Sequence, residues 1–105
     1  MSVVSASGIN GSIQVYNDHV LIIKPGAGLR RIEVSAIKRV EYEPAVHNDT
    51  QGWIKVVTDV LQQPLKTIKA ALVDGNTVAF SMDADESFSL IQIALYELLT
   101  KRPNR

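Results

Sequence analysis

The side chains of this sequence that could perform catalysis or bind a metal ion are few. Its 105 residues include two histidines, His19 and His47, and no cysteine, so thiol catalysis, disulfides and zinc–thiolate sites are excluded. No Gly-x-Ser-x-Gly nucleophile motif occurs. A two-histidine metal site would also need a carboxylate such as Asp49, and nothing in the spacing requires one. We therefore predict two solvated histidines and no catalytic, cofactor or metal site.

Two further patterns resemble known binding motifs without matching them. The segment 26–28 begins like a dinucleotide-binding loop, but Arg31 stands where the third glycine is expected and no helix follows. We predict a hairpin turn there. The three carboxylates Asp83, Asp85 and Glu86 lack the spacing of a calcium loop, and a helix N-terminus explains them.

The charges of the chain are balanced, with 11 basic and 11 acidic residues. Nucleic-acid binders usually carry a basic excess, so we predict no nucleic-acid partner. One small basic patch, Lys24, Arg30 and Arg31, could contact a phosphate or an acidic partner. The alternative is a solvated hairpin with Glu33 nearby, and we expect no membrane binding.

Alternation with a period of two predicts a series of strands in the first three quarters of the chain. The predicted strands are 12–16, 19–24, 29–34, 37–42, 52–58, a short one at 70–73, and 77–82. A bend is expected at 35–36. Residues 59–69 show no clean period, and Pro64 breaks any regular element there. Residues 1–11 contain mainly small and polar side chains, which predicts a weakly ordered N-terminal segment.

The period changes to that of a helix near the C-terminus. Phe88, Ile91, Leu95 and Leu98 recur at spacings of three and four. Asp83 and Glu86 fit a capping box. We therefore predict a helix over 84–101 that buries one apolar face.

The size and composition predict a single domain. A chain of this length with 46% hydrophobic residues can form one core. We predict an N-terminal tail over 1–10, one domain over 11–102 and a C-terminal tail over 103–105. No signal-peptide pattern or apolar run of membrane-spanning length is present. The expected location is the cytoplasm.

The apolar positions and turns carry a family resemblance. The matching segments are 11–15, 20–23, 31–37, 52–54, 76–80 and 86–99. They resemble the small pleckstrin-homology-like domains of bacteria and phages over residues 11–100. The resemblance implies a mainly β fold, with two roughly orthogonal antiparallel sheets capped by a C-terminal helix. It also implies binding of proteins, peptides or lipids rather than catalysis, and some relatives self-assemble.

The first predicted hairpin departs from the lipid-binding members of that superfold. Its two-residue loop is Asn17-Asp18, which has no Lys or Arg, so phosphoinositide binding is not expected. The loop sets the pairing of the two strands. One face would carry Ile13, Val15, Val20 and Ile22, and the other Gln14, Tyr16, Leu21 and Ile23. The face with Leu21 and Ile23 is unusually apolar for a solvent-exposed sheet face. The N-terminal segment, a second copy or another partner could cover it, or the register could differ.

The strand over 52–58 raises the same question. Ile54 and Val56 would face the core, which leaves Trp53, Lys55 and Val57 on the other face. Tryptophan is common at interface hot spots. Trp53 either contacts a partner or packs under the 59–69 segment. In the superfold that this chain resembles, a peptide can also add as an extra strand along the sheet edge beside the terminal helix, and 52–58 is the position expected for it.

These observations predict a non-enzymatic protein-interaction module that binds a protein partner, itself or both. The candidate contact residues are Tyr16, Leu21, Ile23, Trp53, Lys55 and Val57. A lipid or membrane-surface module using Lys24, Arg30 and Arg31 is one alternative. A small-ligand carrier or an enzyme of unknown type is the other.

Overall fold

Two antiparallel sheets and a long C-terminal helix form the fold, which confirms the predicted class. The computed structural model describes residues 4–26, 28–45, 51–59 and 65–101. The strands are β1 Val4–Ser7, β2 Ser12–Val15, β3 His19–Lys24, β4 Gly28–Glu33, β5 Arg39–Glu43, β6 Gly52–Val57 and β7 Thr77–Phe80. The helices are α1 Ile68–Val73 and α2 Asp85–Lys101, and two 3-10 turns span Val34–Ala36 and Met82–Ala84.

The first sheet has the strand order β1-β2-β3-β4. The register predicted for its central hairpin is confirmed, with Val15 opposite Val20 and Ile13 opposite Ile22. The amide of Tyr16 donates to the carbonyl of His19 at 2.9 Å, which closes the two-residue loop. The prediction succeeded because loop length and side-chain alternation fix a hairpin register locally.

The predicted N-terminal tail is wrong for Val4–Ser7, which forms β1 and pairs with β2. The small and polar residues of β1 carry little strand signal. Strand β1 forms because the backbone groups at the outer edge of β2 need hydrogen-bond partners. Gly8 follows and lies so close to the carbonyl of Ala79 that a Cβ would stand 2.1 Å from its oxygen. Only glycine permits this approach between the two sheets.

The second sheet has the strand order β5-β6-β7, so β6 is its central strand. The 3-10 turn Val34–Ala36 connects the two sheets at the predicted bend. The outer edge of β7 is bound by the loop between β1 and β2. The amide of Ile9 donates to the carbonyl of Ala79 at 2.7 Å, and the Asn10 side chain accepts from the Ala79 amide at 2.8 Å.

The predicted strand over 70–73 is wrong, because these residues belong to helix α1. The hydroxyl of Thr67 accepts a hydrogen bond from the amide of Ala70 at 3.2 Å, a typical N-cap. A helix of six residues is marginal alone. Packing of its Ile68 and Ala71 against Trp53 supports it, and that contact is not visible in the local sequence.

Helix α2 closes the core between the sheets. Phe88, Ile91 and Leu95 are fully buried, which confirms the predicted apolar face. The ring of Phe88 stacks on that of Phe80 with centroids 4.3 Å apart. Each such buried side chain stabilises the fold by about 1.5–3 kcal/mol. No helix in the described part of the chain has both the length and the apolar character needed to cross a membrane.

Candidate functional site

The histidine that the structure describes, His19, is held in place rather than solvated, so that prediction is wrong. Its ring stacks on Tyr16 with centroids 4.4 Å apart and an interplanar angle of 7°. Its Nδ1 lies 2.6 Å from a carboxylate oxygen of Asp18, and this hydrogen bond lowers the pKa of Asp18. The three side chains clamp the first hairpin loop. His47 and Asp49 lie outside the described residues.

The acidic residues before α2 serve the fold. Asp83 lies inside the 3-10 turn, whereas the carboxylate of Asp85 accepts from the amide of Ala45 at 3.1 Å and from the hydroxyl of Tyr42 at 3.3 Å. Burial and the Asp85 carboxylate raise the pKa of Tyr42. Across residues 4–26, 28–45, 51–59 and 65–101, no group of three or more His, Asp or Glu side chains could hold a metal ion.

The predicted basic patch is divided between two faces of the first sheet. Successive strand residues point to opposite faces. Arg31 lies on the outer face and pairs with Glu33. Arg30 faces the other way and donates to the side-chain oxygen of Asn76 at 2.9 Å. Lys24 donates to the carbonyl oxygen of Asp74, and burial lowers its pKa. The three cations therefore do not form one binding patch.

The outer face of the first sheet carries the predicted residues Tyr16, Leu21 and Ile23, each half-buried. Leu21 lies opposite Arg31 and Ile23 lies opposite Leu29 on β4. The hydroxyl of Tyr16 donates to Gln14 at 3.1 Å. The described residues of the N-terminal segment, 4–11, do not lie over this face, because β1 adds at the edge of β2 and the following loop binds β7.

The other three predicted contact residues, Trp53, Lys55 and Val57, are buried by the chain itself. Trp53 packs against Leu65, against Ile68 and Ala71 of α1, and against Ala79 of β7. Its predicted role in a partner contact is therefore wrong, and the alternative of packing under the following segment is confirmed. An extra strand cannot add along β6, since β5 and β7 occupy both of its edges.

Lys55 is buried on the covered face of β6, and Asp74 at the end of α1 compensates its charge. Its Nζ lies 3.2 Å from one carboxylate oxygen of Asp74. The other oxygen accepts from the hydroxyl of Thr77 at 2.7 Å and from the amide of Asn76 at 3.0 Å. This polar cluster fixes α1 on the sheet, and Lys24 and Arg30 connect the same turn to the first sheet.

The structure reveals an open groove that the sequence analysis missed, between β5 and α2. Residues 40–43 of β5 pair with β6 on one side, and among the described residues no strand pairs with the other side. The groove has a volume of about 520 Å³. Its lining residues are Lys38, Arg39, Val40, Gln92, Ile93, Tyr96, Leu99 and Thr100.

The exposed side of α2 supplies the apolar part of this groove. Ile93 and Tyr96 are 52% and 69% exposed, and Leu90 continues the same stripe one turn earlier. A helix that packs on a core normally carries polar residues on its outer side. This signal was present in the sequence, because Leu90, Ile93 and Tyr96 recur every three residues opposite the core face.

The groove carries positive charge at one end. Strand β5 runs opposite to α2, because Tyr42 meets Asp85 at the helix start whereas Lys38 and Arg39 share the groove with Thr100 near the helix end. The exposed Lys38 therefore lies at the end of the groove near the C-terminus of α2. The groove has a basic end and an apolar part lined by Val40, Ile93 and Leu99.

Comparison with known proteins adds no further assignment: no protein-family profile, curated protein or solved structure matches this chain.

Proposed function

We propose that this chain is a non-enzymatic protein-interaction module that binds an extended segment of a partner protein in the groove between β5 and α2. One observation carries the proposal. The edge of β5 over residues 40–43 has no strand partner among the described residues, and Val40 lines the groove together with the exposed side chains of Ile93 and Tyr96. Backbone donors and acceptors thus lie beside an apolar surface.

Strand addition explains why both features are needed. The main chain of a bound segment would hydrogen-bond to β5, which supplies affinity, while alternate side chains would enter the groove and supply specificity. The open edge of β5 has four residues, 40–43, so it can pair with a segment of about 14 Å. Tyr96 offers a large ring with a polar tip, the type of side chain that dominates binding energy at interfaces.

The apolar lining and the basic end of the groove define the expected segment. Alternate positions should be apolar where they face Ile93 and Tyr96. An acidic residue or a C-terminal carboxylate suits the end near Lys38. The cytoplasmic location and the pleckstrin-homology-like relationship expected from the sequence remain part of this proposal, and binding in the groove requires neither of them.

Selection from a random peptide display library tests the proposal without a known partner. We expect selected peptides to carry apolar residues at alternate positions. Their affinity for an Ile93→Asp or Tyr96→Ala variant should fall roughly tenfold or more, since truncating a hot-spot residue costs at least about 2 kcal/mol. The matched control is Val73→Asp on α1, an apolar residue that is 84% exposed away from the groove.

Backbone N-methylation of a selected peptide separates strand addition from other binding modes. If the peptide pairs with β5, methylation of every second amide should abolish binding, and methylation of the amides between them should not, because successive amides of a strand point to opposite sides. Selected peptides that bind Ile93→Asp as well as the unchanged protein would contradict the proposal.

A further inference from the structure

Strand β4 forms a second unoccupied edge, at the far side of the first sheet from β1. It pairs with β3, and among the described residues no strand pairs with its other side. The amide of Val34 donates to the carbonyl of Asp18 at 3.0 Å, so the amide and the carbonyl of Ile32, two residues earlier, also point toward β3. The alternation of an antiparallel ladder then directs the amides and carbonyls of Arg31 and Glu33 outward.

The edge strands β4 and β5 carry the same Arg-x-Glu pattern, but only on β4 are both side chains exposed enough to meet a second molecule. On β5, Glu41 is 15% exposed and binds both Arg39 and the amide of Leu65. On β4, the side chains of Arg31 and Glu33 are 50% and 51% exposed and bind each other. An exposed ion pair contributes little to stability, so these two charges can exchange partners at small cost.

The charges of β4 favour one register of pairing with a second copy. A two-fold axis through Ile32 places Arg31 opposite Glu33 of the second copy, twice. The registers centred on residue 30 or residue 31 instead place arginine opposite arginine, and like charges directly opposite each other destabilise a sheet. The balanced total charge of the chain keeps the general repulsion between two copies weak.

We propose that β4 is a self-association edge, on which two copies of this chain pair antiparallel about Ile32 and join their four-stranded sheets into one of eight strands. Charged residues on a strand edge usually prevent pairing. Here two opposite charges on one face, two residues apart, prevent the wrong registers and permit the self-complementary one. This surface is separate from the groove between β5 and α2, so either can exist without the other.

Light scattering of single and mixed charge-exchange variants across a concentration series tests the proposal. We expect the unchanged protein to shift from monomer to dimer as its concentration rises. Arg31→Glu alone and Glu33→Arg alone should each lower the association constant roughly tenfold or more, because two attractive cross-strand pairs become repulsive. An equimolar mixture of these two variants should associate again as a heterodimer, and the double exchange as a homodimer.

Arg39→Glu on β5 is the matched control, and circular dichroism should verify that every variant folds. The restored association of the mixture distinguishes a specific pairing from a general loss of stability. A protein that stays monomeric throughout the series would overturn the proposal. A dimer that is insensitive to Arg31→Glu and Glu33→Arg, or that dissociates with Arg39→Glu instead, would overturn it equally.

Discussion

Strands β3 and β6 are alike in sequence but differ in burial. Each has six residues, four of them large and apolar. All six residues of β6 are buried, whereas burial in β3 alternates between full and partial. The difference comes from Leu65 and α1, which pack on the outer face of the second sheet. The comparison teaches that the apolar content of a strand does not report how many of its faces are covered.

The covering layer also explains why a lysine lies in the middle of β6. Lys55 is 1% exposed, and its charge is compensated by Asp74 at the end of the covering helix. A buried charge is tolerated only when a partner meets it. The contacts of Lys55 and Trp53 with the layer over β6 are therefore the features to perturb, and the outer face of β3 is the reference surface.

The largest effect is expected from Trp53→Ala. Removing this ring leaves a cavity between β6 and α1, so the free energy of unfolding should fall by about 3–5 kcal/mol. Urea denaturation followed by circular dichroism measures it. A loss below about 1 kcal/mol would show that α1 and the residues before it do not cover the sheet tightly.

A smaller effect is expected from Asp74→Asn, which leaves the ammonium group of Lys55 buried beside a neutral partner. The free energy of unfolding at neutral pH should fall by about 1–3 kcal/mol. Lys55→Met in the Asp74→Asn background should recover part of the loss, because it removes the uncompensated charge. Denaturation of the unchanged protein, Asp74→Asn and the double variant side by side provides the measurement. A double variant no more stable than Asp74→Asn would contradict the pairing of Lys55 with Asp74.

The effect of Asp74→Asn should also depend on pH. Burial by itself would raise the pKa of Asp74, but hydrogen bonds from Thr77 and Asn76, together with Lys55, outweigh it and hold the pKa below its ordinary range. A lowered folded-state pKa stabilises the fold above the unfolded-state pKa, and the stabilisation is lost as the pH falls through the folded-state value.

The difference in stability between the unchanged protein and Asp74→Asn should therefore be constant near neutral pH and shrink below about pH 4. Denaturation curves over this pH range measure it, with Asp83→Asn in the exposed turn before α2 as the control. A difference that stays constant into acid would exclude the proposed role of the carboxylate charge.

The smallest effect is expected from Leu21→Thr on the outer face of β3. Threonine is β-branched and favours strands, and the site is only half-buried, so stability should change by less than about 1 kcal/mol. A loss as large as that of Trp53→Ala would mean that another molecule or segment covers this face, and the contrast between the two sheets would fail.

The parts of the fold that were predictable from the sequence are those with local causes. The β2–β3 register follows from the short loop at Asn17-Asp18, and α2 follows from the spacing of its core residues. One wall of the groove was predictable, since the apolar stripe on α2 follows from the sequence. Its other wall required knowing that β5, and not β6, lies at the sheet edge beside the helix.

Hydrophobic periodicity and turn residues thus determined the mainly β class, the terminal helix and the first hairpin, because these signals act between residues close together in the chain. Tertiary structure decided the rest. Whether Trp53 and Lys55 meet solvent depends on α1, and whether β1 and α1 form at all depends on partners that fold against them. Short elements with weak intrinsic preference take their conformation from the surface they cover, and that surface exists only once the chain has folded.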